Sequence, residues 1–177
     1  MGGSLGALDA LHEILPRISQ NFSAALIIVL HREKEESGGL MPLLIRNCAV
    51  PIGFPEDKDS ILAGHIYVAP PNYHLLIEED HFAYSMDEPE DYARPSIDAL
   101  FESAAERYKN RVTGIVLTGM RQDGARGLAA IKGHNGEAIV QSPLEAIGDG
   151  MPLAALRAVP NAKVLTLREI AEFVASF

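Results

Sequence analysis

The chain has 177 residues, with 24 acidic against 15 basic side chains and a formal net charge of −9. Hydrophobic residues make up 47% and charged residues 22%, the balance of one soluble domain, spanning 1–177, with a sizeable core. The negative field argues against general nucleic-acid or anionic-membrane binding, and the single Cys48 rules out an internal disulfide framework and any CxxC metal site. No apolar run approaches the roughly 20 residues that cross a bilayer, and no basic-then-apolar leader is present. A cytoplasmic location is the default expectation.

The first motif is Gly2-Gly3-Ser4-Leu5-Gly6, a literal G-x-S-x-G, the pattern of a serine held on a sharp turn with its hydroxyl exposed. Ser4 ahead of Leu8, Leu11, Ile14 and Leu15 also reads as a helix cap before an apolar stripe, with Pro16 ending that helix. AALIIVLH, from residue 24, is a continuous apolar run that suits a strand buried on both faces. Residues 32 to 38 read as a charged loop, and GLMPLLIRN as a short helix. Short strands are expected at Ile66–Ala69, His74–Ile77 and His81–Ser85, with a turn at Pro70-Pro71-Asn72.

Pro95 suits a first helical position, ahead of Ile97, Leu100, Phe101 and Ala104 on one face. VTGIVLTG is a second strong strand, and Asp123 is placed to cap the helix that follows, which glycine closes near 136. A strand at Glu137–Gln141, a helix from Pro152, a strand at Lys163–Leu167 and a final helix complete the alternation. Strands alternating with helices predict an α/β fold: a three-layer α/β/α sandwich around a mostly parallel, doubly wound sheet.

In such a sheet, ligands sit at the carboxyl ends of the strands. Two strong strands end near His31 and Asp123, and Ser4 lies at the mouth of a helix. Together they would supply a nucleophilic hydroxyl, a base and an orienting carboxylate. The chain order, Ser then His then Asp, differs from the Ser…Asp…His order of α/β-hydrolases. Taken singly, each has a structural reading: Ser4 and Asp123 as helix caps, His31 as a hydrogen bond to a loop. The remaining histidines show no metal-ligand spacing, and His65 and His74 read as surface or loop residues. Arg94 and Asp98 are spaced for an i, i+4 pair. Met41, Met86 and Met151 read as core filling, Tyr67, Tyr73 and Tyr84 as packing in the short-strand region, and Cys48 as buried. DEPEDY, from Asp87, reads as a solvated loop that could border a groove.

GGSLGALDAL, IIVLHR, YVAPPNYH, ARPSIDALFESAA, GIVLTGMRQDGARGL and GMPLAAL occur in this order along nearly the whole chain. In sequence and spacing they resemble the catalytic domain of the chemotaxis protein-glutamate methylesterase (CheB-type) family. The resemblance implies an α/β/α sandwich that hydrolyses glutamyl methyl esters, and can deamidate glutamines, on the cytoplasmic helices of methyl-accepting chemoreceptors. It implies Ser4 as nucleophile, His31 as general base and Asp123 as orienting carboxylate, with the Met120 backbone N–H in the oxyanion hole. It further implies no metal or cofactor, and other signalling domains or a separate receiver as partners.

Departures from the family pattern add further expectations. Where the family has S-T-G-G, this chain has Ser4-Leu5-Gly6-Ala7; Arg121 replaces a glycine, and Ala93 a histidine. Leu5, Arg94 and Arg121 are the expected substrate-binding residues, Arg121 either crowding the pocket or pairing with a substrate carboxylate. Only three residues precede Ser4, so the strand that should aim it is expected to be missing, or the chain to begin inside a longer polypeptide. No receiver domain is recognisable, which implies no regulation by that route, a truncated form or another architecture. Two other readings stay open: a docking module that binds receptor or signalling proteins with weakened chemistry, and a serine hydrolase for another ester or amide.

Overall fold

The computed structural model describes residues 1–31, 40–46 and 48–177; the charged segment at 32–38 lies outside the described residues. In chain order the elements are β1 (Gly2–Gly3), α1 (Ala7–Ile14), β2 (Ala25–Leu30), α2 (Leu40–Ile45), β3 (Ile52–Gly53), β4 (His65–Val68), β5 (His74–Glu78), β6 (His81–Ser85), α3 (Ile97–Tyr108), β7 (Thr113–Val116), α4 (Ala125–Gly133), β8 (Glu137–Gln141), α5 (Gly150–Ala158), β9 (Lys163–Leu165) and α6 (Leu167–Ala175). Seven strands make one parallel sheet in the order β3-β4-β2-β1-β7-β8-β9, and β5 and β6 form a separate antiparallel hairpin.

Helices cover both faces of the sheet, so its strands are apolar along their length rather than alternating. Ile28, Ile115 and Ile139 face a core shared with α1 and α6. Their neighbours Val29, Val116 and Val140 face the opposite core, built with α3, α4, α5 and the hairpin. Period-two alternation thus divides each strand between two cores. Tyr67 belongs to the second, and Tyr73 stacks on Tyr84 with ring centroids 5.1 Å apart. Met151 is fully buried and Met41 packs against the first core, but Met86 is 71% exposed, contrary to its expected role. Cys48 is only partly buried.

The expectation of a missing first strand is corrected. Gly2 pairs with Val29 on one side and Val116 on the other, and Gly3 pairs with Leu30, so β1 sits mid-sheet. Met1 N–H extends the ladder to Ile27 O at 2.8 Å. No apolar pattern betrays this strand because α3 presses against it: a Cβ on Gly2 would lie 2.5 Å from Ile97 Cγ1. The space a strand side chain would fill belongs to the helix.

Helix starts also differ from expectation. Gly6, not Ser4, is the N-cap of α1, and no side chain caps it. α1 ends at Ile14 in a single 3-10 turn containing Pro16, since proline cannot continue the ladder. Pro95 lies one residue outside the α3 cap, which is Ser96, its hydroxyl accepting from Ala99 N–H at 3.2 Å. Thr166 and Glu169 close a capping box on α6. Among the described residues no cluster of three His, Cys, Asp or Glu is arranged to hold a metal, and no helix is long and apolar enough to cross a membrane.

Candidate active site

β2, β1 and β7 are neighbours, and the residues just past their carboxyl ends are His31, Ser4 and the turn leading to Asp123. Backbone bonds tie these turns together. His31 N–H donates to Gly3 O at 3.1 Å, and Ser4 N–H to Thr118 O at 2.9 Å. The buried Thr118 hydroxyl lies 2.9 Å from Leu5 O and accepts from Gly148 N–H at 2.8 Å. Its own N–H donates to the buried Gln141 Oε1 at 2.9 Å. Gly119 exchanges backbone bonds with Gly148 and Met151, each 2.8 Å. The turn after Ser4 needs Gly6, whose φ of 79° lies in the left-handed region.

A cleft of about 410 Å³ opens on this edge. Ser4, Leu5, His31, Arg94, Met120 and Arg121 all line it, together with part of the 89–95 segment. His31 Nε2 donates to Asp123 Oδ2 at 2.7 Å. With the proton held on Nε2, Nδ1 is the basic nitrogen of the ring. Ser4 Oγ and the ring lie in the same cleft but are not hydrogen-bonded to each other. Contacts of this kind often tighten only when substrate arrives.

Asp123 is 1% exposed, and it does not cap its own helix as expected: the N-cap of α4 is Gly124, which has no side chain to cap with. The carboxylate instead reaches across to α3. Besides His31, it accepts from Ile97 N–H (2.7 Å), Asp98 N–H (2.9 Å) and Ser96 Oγ (3.0 Å). Burial pushes its carboxyl upward, but the bonds from His31, Ile97 and Asp98 and the His31 charge together hold it below the ordinary value. It is an ionised acceptor fixed in place, as an orienting carboxylate must be.

Leu5 is 52% exposed at the cleft mouth, and Met120 61%. Neither the Leu5 nor the Met120 N–H is bonded to any described backbone or side chain, so both donors are available to a ligand. Arg121 is exposed, in no ion pair among the described residues, with its guanidinium 4.8 Å from the Tyr92 ring centroid. Arg94 is less free: its Nη1 donates to Met86 O and Asp87 O at 2.9 and 3.0 Å. It therefore does not pair with Asp98, which is buried and accepts from Gly127 N–H; the extended Ser96 between them breaks the helical spacing.

His74 is a further correction. It is 2% exposed, with Nδ1 accepting from Ser96 N–H at 3.2 Å and Nε2 donating to Glu88 O at 3.1 Å. It joins the 86–95 loop to the residue that touches Asp123. Ser96, Thr118, Gln141 and Asp98 also support the site, and sequence reasoning misses all four in that role. Only Ser96 carries a usable signal, a serine just ahead of an apolar helical stripe.

The CheB methylesterase family profile matches residues 1–174. The chain belongs to the CheB methylesterase family. A relative in Leptospira interrogans, provisionally named a protein-glutamate methylesterase/protein-glutamine glutaminase, is 43% identical over 97% of this chain and 90% of its own length. A Trichodesmium erythraeum protein of that name is 32% identical over 97% of this chain but only 50% of its own length. The crystal structure of the Thermotoga maritima CheB methylesterase catalytic domain superposes with a TM-score of 0.92 at 26% identity, over 99% of this chain and 95% of that one. The fold expected from the sequence is thus that of the CheB catalytic domain.

Proposed function

We propose that this chain hydrolyses the γ-methyl esters of glutamate side chains, and the amides of glutamine side chains, on the cytoplasmic helices of chemoreceptors. The observation that carries this reading is the 2.7 Å bond between His31 Nε2 and a buried, ionised Asp123 in the cleft that also holds Ser4. A histidine so anchored is a base with a defined tautomer.

Ser4 Oγ attacks the ester carbonyl as His31 Nδ1 takes its proton, and the carbonyl oxygen becomes an oxyanion. The Met120 N–H, with that of Leu5, faces the developing charge, and donors fixed in advance need no reorganisation. Asp123 stabilises the imidazolium, which then protonates the departing methoxide to give methanol; from an amide, ammonia leaves. Water, deprotonated by His31, attacks the glutamyl ester on Ser4 and releases free glutamate and the Ser4 hydroxyl.

Leu5 presents an apolar contact beside the nucleophile. Arg121, held on Tyr92, offers its charge to a carboxylate near the scissile ester. Arg94 shapes the cleft by holding the 86–87 carbonyls. A separate receiver is the proposed regulatory partner.

Methanol release from a methylated receptor fragment tests the reading. Wild type releases methanol, and Ser4→Ala with an unchanged circular dichroism spectrum does not; equal release by the two would refute it. Receptor binding without turnover, or turnover of small esters alone, would favour a docking module or a hydrolase of different specificity.

A further inference from the structure

Asp98 is a buried carboxylate, 7% exposed, that the chemistry of Ser4, His31 and Asp123 leaves unused. Its Oδ1 accepts from Gly127 N–H at 2.7 Å, in the first turn of α4. Its own N–H donates to Asp123 Oδ1 at 2.9 Å. Asp123 lies just ahead of Gly124, the N-cap of α4, yet serves the first turn of α3; Asp98 lies in the first turn of α3 yet serves α4. The first turn of each helix thus donates to the carboxylate belonging to the other.

The exchange requires the two helix starts to touch. A Cβ on Gly127 would lie 2.5 Å from Phe101 Cβ and 3.0 Å from Asp98 O, so only glycine admits this approach. It also decides where Asp123 points. The exposed N–H groups of a helix start attract the nearest carboxylate, and for α4 that is Asp123 unless another acceptor is supplied.

We propose that Asp98 is a positioning residue of this site: by capping α4 it releases Asp123 from its own helix and holds that carboxylate against α3 and the His31 ring. This rests on the Ser4–His31–Asp123 reading.

The groups around Asp98 give the arrangement a pH signature. Burial raises its carboxyl to about 6, opposed by the Gly127 N–H, raised further by Asp123, lowered by Arg126 and raised by Glu102. A protonated carboxyl is a weaker acceptor, so the α4 cap loosens as pH falls through that value.

The test compares Asp98→Ala and Asp98→Asn with wild type, measuring methanol release per Ser4 labelled by a fluorophosphonate and the NMR shifts of the His31 ring from about pH 5 to 8. Asp98→Ala is expected to lower kcat by about 10–100-fold, as small misplacements do, with KM changed by less than about 2-fold. Asp98→Asn keeps an acceptor for Gly127 and is expected to recover kcat at pH 8 to within about 3-fold of wild type. Wild-type His31 is expected to show a second inflection near pH 6, absent in Asp98→Asn. Wild-type kcat in Asp98→Ala, Asp98→Asn as impaired as Asp98→Ala, or an inflection that survives in Asp98→Asn would each overturn the proposal. Should Asp98→Ala fail to fold, the Asn variant and its His31 shifts decide. A wild type that neither takes the label nor releases methanol refutes the Ser4 reading instead, and the His31 shifts still judge Asp98.

Discussion

Asp123 and Arg121 are two residues apart, yet their surroundings share almost nothing. Asp123 is 1% exposed, accepts from one imidazole, one hydroxyl and two backbone N–H groups, and is immobilised by all of them. Arg121 stands in solvent against the face of Tyr92, itself 86% exposed. The base of the cleft is buried and hydrogen-bonded; its outer wall is charged and exposed. If the base of the cleft carries the reaction and the wall chooses the substrate, substitutions should divide between kcat and KM according to the side they fall on.

The largest separation is expected at Ser4, the proposed nucleophile. Ser4→Ala should lower kcat by on the order of 10⁴-fold or more, because members of such a unit fail together, while its thermal midpoint stays near that of wild type. Asp123→Asn should follow at about 10³–10⁴-fold, since an amide facing Nε2 enforces the wrong tautomer. Unlike Ser4→Ala, it should also destabilise, by about 1–3 kcal/mol, where the buried Ile97 and Asp98 N–H groups lose charged acceptors. Steady-state kinetics with thermal melts of both variants would expose either misassignment.

A smaller effect, of opposite kind, is expected on the wall. Arg121→Gly should raise KM for acidic receptor peptides by about 2–5-fold, the range set by exposed ion pairs, leave small neutral esters unaffected and flatten the salt dependence. Faster turnover of every ester would show instead that the side chain obstructs the cleft.

The longer strands, their order of appearance and the layered architecture were legible in the sequence, though β1 and β3 were not, because apolar runs such as 25–30 and 113–116 can only be buried between helix layers. Ser4, His31 and Asp123 were legible as candidates because each comes after a strand at the carboxyl edge of the sheet. Other features were hidden for definite reasons. β1 has no side chains to form a pattern, since Ile97 fills the place of one at Gly2 and Ala7 the place of one at Gly3. The capping partner of Asp123 lies more than two dozen residues back along the chain, and local rules assign an acidic residue to the helix it precedes. His74 opens an unremarkable strand, and its burial depends on Ser96 and Glu88 meeting its two nitrogens. In each case contacts between distant segments overrode a sound local preference.

The two buried aspartates should also part company in acid, which gives the subtlest prediction. For Asp98, raised from 3.8 to about 6, the folded chain binds a proton that the unfolded chain lacks across that window. Stability therefore falls as pH rises through it, by on the order of 3 kcal/mol. Asp123, held below its ordinary value, contributes stability above the unfolded carboxylate range that is lost as pH drops through its folded pKa. Denaturant melts from about pH 3.5 to 8 should show wild type losing stability toward neutrality relative to Asp98→Asn; parallel curves would mean that Asp98 carries no such charge.

Every role assigned to the cleft depends on Ser4 being made nucleophilic by His31 held on Asp123. Mass-spectrometric mapping of a fluorophosphonate adduct on wild type, His31→Ala and Asp123→Ala reads that dependence at the serine itself. Stoichiometric modification at Ser4 is expected in wild type, and little or none in either variant. Modification of Ser4 at the same rate in all three, or none in wild type, would contradict it.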